Sequence, residues 1–401
     1  MKYKFPEIYD LNDVVPYLPK DGPFYVADKG DYFVINYTHS DNNTFPDIDF
    51  TDEDSLYRTS ILRECRGIIF DKWTKKIIRR PYHKFFNVEQ KVEVFLDNVD
   101  LSQPHIILEK LDGSMIAPFE VSHKGSTPFP YIIWGTKMGD TDVATPVNQF
   151  VFNNPQYQEF ARNMINNGVT PIFEWMSRQN RIVLDYGQED KLTLVAVRDM
   201  RTGVYFSYSN IQYWGEVWGI PTVKVHKVKG TNPKELQAAV ASLGDEEGIV
   251  IAFEDGHKIK MKSEWYCRIH KTKEALTFEK DVVDLWINGQ IDDIFQFMLD
   301  TDKERVNNFI DFVIDSARFF VLDVLSNLDE IRGNKMTRKE FALEHGNKFF
   351  PMQRQLIFKF FDKEYNFHLI WNEFSDMVKM KTKNTTNYNE MKKQVWPNAE
   401  Y

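Results

Sequence analysis

Cysteine is the scarcest residue of interest in this chain, because only Cys65 and Cys267 occur in 401 residues. Two cysteines exclude a disulfide framework, and their spacing to histidine does not indicate a zinc site. No apolar run approaches the roughly 20 residues that a membrane-spanning helix needs. The N-terminus also lacks the apolar stretch of a secretory signal. We therefore expect a cytoplasmic protein with no membrane segment.

Positive charge is not in excess either, since the formal net charge is -9 and the pI is about 5.6. This balance excludes a nonspecific DNA coat, but a local basic groove on an acidic protein still binds nucleic acid. Hydrophobic residues make up 42% and charged residues 27%, as in ordinary globular proteins, and the length allows two or three domains. Composition alone leaves the function open.

Residues 20 to 275 read mainly as short strands and turns, with helices predicted at Val147–Asn167 and, after the N-cap candidate Asn232, at Pro233–Leu243. "VRDMRTGVYF" predicts a hairpin with its turn at Arg201–Gly203. The class is α+β, because the regular βα alternation of a doubly wound sheet is absent. The predicted strands are rich in β-branched and aromatic residues: "GPFYVAD", "DYFVINY", "RGIIF", "KKIIRRPYHKFFN", "PYIIWGT", "TPIFEWM", "NRIVLDY", "KLTLVAVRD" and "EGIVIAF".

The pattern changes near residue 275, and we predict domains at 1–275 and 276–401. The second domain is expected to be all-helical, because apolar residues recur at steps of three and four between Val306 and Val324. "RKEFALEHG" and "PMQRQLIFKFFDKEY" continue this pattern. The last segment is rich in lysine, and it is either solvated or an RNA-contacting arm. Its lysines are Lys379, Lys381, Lys383, Lys392 and Lys393.

"ILEKLDGSMIA" places Lys110 at the edge of a turn, next to an acid and a glycine, between two strand-like runs. One interpretation is a surface hairpin with a solvated lysine. The other is a lysine nucleophile that attacks a phosphoryl group. The attack requires a neutral amine, although the free lysine side chain has a pKa of about 10.4. Such a site needs cations to disperse phosphate charge, carboxylates for a divalent metal, and a pocket for the nucleotide.

The sequence offers both kinds of charge. Lys258, Lys260 and Lys262 alternate in "HKIKMKSEWY", so they share one face of a predicted strand, which is either an edge face in solvent or the wall of a cleft. Glu174 lies within the apolar run "PIFEWMS" and Glu247 opens "EGIVIAF"; each is also explained by an outward-facing or loop position. Further cations precede the nucleophile candidate, and all of these fit solvated strand ends as well: Arg63, Arg66 and Lys84.

The order of these motifs resembles that of the covalent nucleotidyltransferases, the superfamily of DNA ligases, RNA ligases and capping enzymes. Lys110–Gly113 is similar to its Lys-x-Asp-Gly motif, and "FEW", "EGIV" and "KMK" follow in the expected order. "ECRGIIF", "HKFFNV", "EKLDGS", "NRIVLDY", "VRDMRTGVY", "KMKSEWY" and "HKTKEAL" resemble the RNA ligase 1 group of T-even bacteriophages. This similarity runs from about Arg63 to Leu276. It is faint beyond and slight in the first sixty residues.

The resemblance implies a nucleotidyltransferase domain of antiparallel sheets with flanking helices, and an ATP-dependent RNA ligase. Lys110 would attack the α-phosphate of ATP and carry AMP as a phosphoramidate. AMP would then pass to an RNA 5′-phosphate, and an RNA 3′-hydroxyl would displace it. Mg²⁺ would assist, and Mn²⁺ is expected to substitute for it.

The resemblance also implies roles for individual residues. Glu174 and Glu247 would organise the metal or contact the ribose, and Asp112 would position metal-bound water or the lysine. Lys260 and Lys262 would contact the α-phosphate, with Lys260 lowering the pKa of Lys110.

Other residues are expected around the nucleotide. Tyr266 is a candidate triphosphate contact or an ordinary strand aromatic, and Lys258 is expected to be a surface residue. Three cations are candidates for nucleotide or phosphate binding: Arg66, Lys84 and Lys137. Three residues are candidates for the adenine pocket: Glu109, Leu111 and Trp175.

The expected partner is RNA, as single-stranded ends or a nicked tRNA anticodon loop, in phage RNA repair within the host cytoplasm. An end-healing kinase/phosphatase is a further candidate partner, and a monomer is expected. The alternatives are a DNA ligase or a GTP-dependent capping enzyme, both of which append an OB-fold β-barrel after the last motif. A non-catalytic RNA-binding protein is a third interpretation.

Overall fold

The computed structural model divides the chain into two units, Met1–Cys267 (unit 1) and Arg268–Tyr401 (unit 2). It describes residues 4–38, 44–122, 130–178, 183–184, 186–295, 298 and 300–401. The division falls inside a helix, α6 (Glu264–Ala275), whose last residue is the boundary predicted from the sequence. None of the helices in the described part of the chain combines the length and apolar character that crossing a bilayer requires.

Unit 1 is built from short strands and a few helices. Its strands are β1 (Phe24–Asp28), β2 (Tyr32–Tyr37), β3 (Ile68–Asp71), β4 (Ile77–Arg79), β5 (Phe86–Asn87), β6 (His105–Glu109), β7 (Ser114–Val121), β8 (Tyr131–Gly135), β9 (Val169–Met176), β10 (Lys191–Asp199), β11 (Gly248–Phe253) and β12 (Lys258–Lys262). Its helices before α6 are α1 (Glu53–Glu64), α2 (Ala144–Asn153), α3 (Pro155–Asn166), α4 (Tyr208–Trp218) and α5 (Pro233–Ala241).

These strands form three four-stranded sheets, with the orders β1-β2-β3-β4, β10-β9-β7-β8 and β5-β12-β11-β6. All pairs are antiparallel except the short pair of β12 with β5. Helices α2, α3 and α4 cover the outer face of the second sheet, and a smaller apolar cluster lies between the second and third sheets. The predicted α+β class, with antiparallel sheets and flanking helices, is confirmed.

Two local predictions in unit 1 are confirmed in detail. Helix α5 begins after Asn232, whose side chain accepts a hydrogen bond from the backbone N–H of Glu235. The hairpin at Arg201–Gly203 closes through a bond from the Asp199 N–H to the Val204 carbonyl, at 3.0 Å.

Other predictions need correction. The single helix predicted over 147–167 is two helices, because Pro155 cannot donate a backbone hydrogen bond and disfavours the α conformation of Asn154 before it. Pro81 likewise separates β4 and β5 within the long strand predicted there. Most of "NRIVLDY" lies outside the described residues, and its described Val183 and Leu184 belong to no strand.

The regular elements in the described part of unit 2 are all helices, as predicted. Its helices after α6 are α7 (Glu279–Ile287), α8 (Ile291–Phe295), α9 (Asp300–Gly333), α10 (Arg338–Glu340), α11 (Pro351–Phe360), α12 (Phe367–Lys381) and α13 (Thr385–Val395). The apolar stripe from Val306 to Val324 lies on α9 and is buried in the core of this unit. The lysine-rich tail is helical, and Tyr388 and Trp396 anchor it in that core, whereas its contact with RNA stays a prediction.

Candidate active site

Lys110 lies where β6 ends, and the register of β6 with β11 brings it beside Glu247. Its backbone N–H donates to the Gly248 carbonyl at 3.0 Å, and its Nζ donates to Glu247 Oε2 at 2.6 Å. The other oxygen, Glu247 Oε1, lies 3.1 Å from Nζ of Lys262. One buried carboxylate therefore bridges two lysines, and the surface-hairpin interpretation of Lys110 is wrong.

Asp112 anchors the turn after Lys110 and is 4% exposed. Its Oδ2 accepts the backbone N–H groups of Val183 and Leu184, at 2.7 and 2.8 Å. Its Oδ1 accepts the Tyr266 hydroxyl at 2.7 Å. Both oxygens are thus held by protein donors, and Asp112 is not part of the cavity wall beside Lys110. These contacts make Asp112 an anchor of residues 183–184, and its expected role toward a metal, directly or through water, stays a prediction.

Tyr266 shares this anchoring arrangement. Besides the bond from its hydroxyl to Asp112, its ring lies under the ammonium of Lys262, with 4.8 Å between Nζ and the ring centroid. Tyr266 lies at the start of helix α6, so the alternative of an ordinary strand aromatic is wrong, and the triphosphate contact stays a prediction.

Gly113 is required by the close approach of two strands. Strand β7 pairs with β9, and a Cβ on Gly113 would lie 2.3 Å from the carbonyl oxygen of Trp175. No side chain fits at that distance, so the glycine allows the turn to lie against β9 with Glu174 beside it. Both residues of the Asp-Gly corner therefore have a structural role.

A cavity of about 210 Å³ opens beside Lys110, between the second and third sheets. Its wall contains six of the residues predicted for the site: Arg66, Glu109, Lys110, Leu111, Glu174 and Lys260. Apolar side chains such as Leu108, Val195, Val223 and Val250 complete it. Trp175 is not among them, because strand alternation turns it into the core under α2, opposite to Glu174.

The cavity is strongly charged and partly desolvated. Burial, reinforced by Arg66 and Lys110, holds the pKa of Lys260 well below its ordinary value. Burial raises the pKa of Glu174 to about 7, although Lys110 acts in the opposite direction. The prediction that Lys260 lowers the pKa of Lys110 stays a prediction.

Lys84 and Lys137 form a basic cluster with Arg66 around the ring of Tyr37. Their Nζ atoms lie 5.4 and 5.0 Å from its centroid. Burial, followed by Arg66 and Lys137, lowers the pKa of Lys84 to about 8. Gly67, with φ of 88°, makes this cluster possible, because a Cβ there would lie 2.5 Å from the Lys137 carbonyl oxygen.

Glu174 is the carboxylate best placed to hold a divalent cation. Its side chain faces the cavity, and no described residue donates a hydrogen bond to its carboxylate. Glu247 is already shared by two lysines, and the described residues contain no group of three or more acids, histidines or cysteines able to hold a metal. The donor set fits Mg²⁺ bound by one carboxylate together with substrate phosphates and water, its usual mode in nucleotide enzymes.

Sequence reasoning missed two features. Lys258 is a wall residue of the cavity and 7% exposed, so the expected surface position is wrong; its alternation with Lys260 was the available signal.

The second missed feature is a buried ion triad, in which Arg198 Nη2 and Nη1 donate to the two Glu64 oxygens at 2.6 and 2.7 Å and Arg80 Nε donates to Oε2 at 3.1 Å.

Comparison with known proteins gives a family match and related sequences, among them a bacterial and a viral protein. A family described as RNA ligase matches residues 64–266, just over half of the 401 residues. A Thermovibrio ammonificans protein named as an RNA ligase is 29% identical over 256 residues, covering 60% of this chain and 62% of its own. A protein of Autographa californica nuclear polyhedrosis virus, named as a bifunctional polynucleotide kinase/RNA ligase, is 26% identical over 251 residues.

The second alignment covers 58% of this chain and 34% of the viral protein, so this chain spans less than two thirds of either relative. Among solved structures, an archaeal ATP-dependent RNA ligase is 12% identical with a TM-score of 0.40, over 65% of this chain and 63% of that one.

Proposed function

Because the chain belongs to the RNA ligase family, we propose that it joins RNA 5′-phosphate and 3′-hydroxyl ends with ATP, through a covalent lysine–AMP. The observation that carries the proposal is Lys110 bridged to Glu247 at 2.6 Å, in the wall of a cavity lined with further cations. An anionic ligand is the natural occupant of such a cavity, since Arg66, Lys258 and Lys260 have no carboxylate partner among the described residues.

Lys110 attacks the α-phosphorus of ATP with its neutral amine. The N–P bond forms, the bond from the α-phosphorus to the bridging oxygen of the β-phosphate breaks, and pyrophosphate leaves. Lys110 must first lose a proton from its ammonium group. Its Nζ donates a hydrogen bond to Glu247, so the carboxylate of Glu247 is the nearest acceptor for that proton. Lys260 and Lys262 flank the nucleophile and stabilise the charge that develops on the α-phosphate.

Arg66, Lys84 and Lys137 are placed to bind the pyrophosphate part of ATP, because they form one basic cluster at the edge of the cavity. Glu174 holds Mg²⁺ or Mn²⁺, which when bound offsets phosphate charge. Leu111 and the backbone of Glu109 line the nucleoside end. AMP then passes from Lys110 to an RNA 5′-phosphate, and a 3′-hydroxyl displaces it as the strand is sealed.

We further propose that the enzyme is of the RNA ligase 1 type of T-even phages and acts as a monomer on broken RNA such as a tRNA anticodon loop. The motifs shared with that group support this assignment. Unit 2 then recognises the shape of the RNA, and a kinase/phosphatase prepares its ends. The alternatives, a DNA ligase or capping enzyme, predict an OB-fold after the last motif, whereas the described part of unit 2 contains helices and no strand.

The proposal is tested by incubating the protein with α-labelled ATP or GTP and Mg²⁺ and resolving it on a denaturing gel. The wild type and Lys227→Ala, which changes an exposed lysine, are expected to retain label from ATP, whereas Lys110→Ala is expected to retain none. Transfer of the label to a 5′-phosphorylated RNA then tests the second step. Label from GTP favours a capping activity, and no label from either nucleotide overturns the proposal.

A further inference from the structure

Lys258 is a buried cation that no described carboxylate pairs with directly, and Asp255 acts on it only from beyond ion-pair distance. The side chain is 7% exposed, lies in the wall of the cavity beside Lys110, and makes no hydrogen bond or ion pair with any described residue. Its nearest aromatic partners are Tyr205 and Tyr82, with 4.4 and 5.9 Å between Nζ and the ring centroids. The amine therefore lies over two rings and next to the empty volume of the cavity.

Burying the charged amine of Lys258 costs more free energy than its contacts with the two aromatic rings supply. A desolvated cation–π contact stabilises a cation by less than the burial of an ammonium group costs, even after the surroundings relax. Burial, followed by Arg198, lowers the pKa of Lys258 to about 8, although Asp255 acts in the opposite direction. An apolar side chain of similar length would pack there at lower cost. The lysine is consequently explained by something that enters the cavity.

The sheet register shows which part of a nucleotide reaches Lys258. Three rows of the third sheet lie on one face: Gly248 with Lys262, Val250 with Leu108 and Lys260, and Ala252 with Lys258. Of these residues, Leu108, Val250, Lys258 and Lys260 line the cavity. Successive rows are about 6.6 Å apart, since they are two residues along a strand. Glu247 and Lys110 lie beside the first row, because Glu247 precedes Gly248 and the backbone N–H of Lys110 donates to the Gly248 carbonyl. This is where the α-phosphate would react. Lys258 is two rows away, beyond the apolar surface of Leu108 and Val250, so a nucleoside that extends from Lys110 along this surface would bring its base to Lys258.

We propose that Lys258 donates a hydrogen bond to an unprotonated ring nitrogen of the purine base, and so helps to select the nucleotide. This inference rests on the proposed function and adds a base-binding residue to it. A lysine has donors only, so its partner must be an acceptor, and the acceptors on the edge of adenine are its ring nitrogens. The apolar side chains around Lys258 make such a bond strong, because they exclude competing water.

The test measures nucleotide binding in the Lys110→Ala background, where no covalent bond forms. Dissociation constants for ATP, 1-deaza-ATP, 3-deaza-ATP and 7-deaza-ATP are measured by calorimetry with Mg²⁺, with and without Lys258→Met. We expect one analogue to bind about 10- to 100-fold more weakly than ATP, the equivalent of one charged hydrogen bond. Lys258→Met is expected to weaken ATP binding by the same factor and to bind ATP and that analogue equally. Lys227→Met, at an exposed position, serves as the matched control.

The outcomes separate the possible roles of Lys258. If Lys258→Met weakens ATP binding but discriminates among the analogues as the parent does, the lysine contacts phosphate or ribose and the inference is overturned. A lowered melting temperature without nucleotide, with unchanged ATP binding, shows a structural role and also overturns it. Labelling of the wild-type protein by ATP tests the proposed function separately. If the wild type forms the lysine–AMP adduct but Lys258→Met leaves ATP binding unchanged, only the inference about Lys258 is refuted.

Discussion

Glu174 and Glu247 lie close enough to act on each other electrostatically, but their surroundings differ. Glu247 is neutralised by two lysines at 2.6 and 3.1 Å, whereas Glu174 has no ion pair among the described residues and carries a pKa raised to about 7 by burial. A carboxyl group held in this way changes charge near neutral pH, unlike an ordinary glutamate. The difference supports the proposed role of Glu174, rather than Glu247, in holding a divalent cation.

We predict that Glu174→Gln makes the free protein more stable at pH 8 but not at pH 4.5. The unfolded carboxyl ionises near 4.5 and the folded one near 7, so the folded state loses stability as pH rises between these values. The full penalty, up to about 3 kcal/mol, is present above pH 7 and is absent in a glutamine, which resembles the protonated acid. Urea denaturation of both proteins at the two pH values, with chelator and without nucleotide, measures it. An equal difference at both pH values would falsify the assignment of the raised pKa.

At the scale of the elements, three segments that are distant in sequence meet at one buried carboxylate. Glu64 ends α1, Arg80 follows β4, and Arg198 belongs to β10. Burial alone would raise the pKa of Glu64, but Arg198 and Arg80 outweigh burial and hold it below the ordinary value. Arg80 also donates to the carbonyls of Arg201 and Pro6, at 2.7 and 2.8 Å. The triad thus fixes α1 and the 201–203 turn against the second sheet.

We predict that Glu64→Gln destabilises unit 1 by about 3–5 kcal/mol, because it leaves two buried guanidinium groups without a negative charge. Chemical denaturation followed by tryptophan fluorescence measures the change. Asp28→Asn removes an ion pair of the exposed type, with Lys72 at 2.7 Å, and is expected to leave the midpoint unchanged. A Glu64→Gln midpoint equal to that of the wild type would show that the triad adds nothing to stability.

The same elements show how far the sequence predicts this site. Strand alternation correctly places Lys258, Lys260 and Lys262 on one face, with Ile259 and Met261 in the core. It does not say whether that face meets solvent or a second sheet, which is decided by β7, β9 and β10. The Glu64 triad was out of reach for a related reason. Charged residues are normally exposed, and only the packing of segments up to 134 residues apart brings these charges together.

At the scale of the whole molecule, the chemistry and the family match fall within one unit. Every candidate site residue lies between Arg66 and Tyr266, and the family match ends at residue 266, one residue before unit 1 ends. The buried apolar clusters are also separate. Those of unit 1 contain residues 8 to 261, and the cluster of unit 2 contains residues 276 to 399. Each unit therefore has a core with which to fold.

We predict that a chain ending at Ala275, which keeps helix α6 whole, folds and forms the lysine–AMP adduct at a rate within about threefold of the full chain, a difference below 1 kcal/mol. Sealing of RNA ends is expected to fall by tenfold or more, since unit 2 is proposed to bind the RNA. Adduct formation and sealing are measured on the two chains at equal concentration. Loss of the adduct in a folded truncated chain would place part of the first step in unit 2, whereas undiminished sealing would remove the proposed RNA-binding role from it.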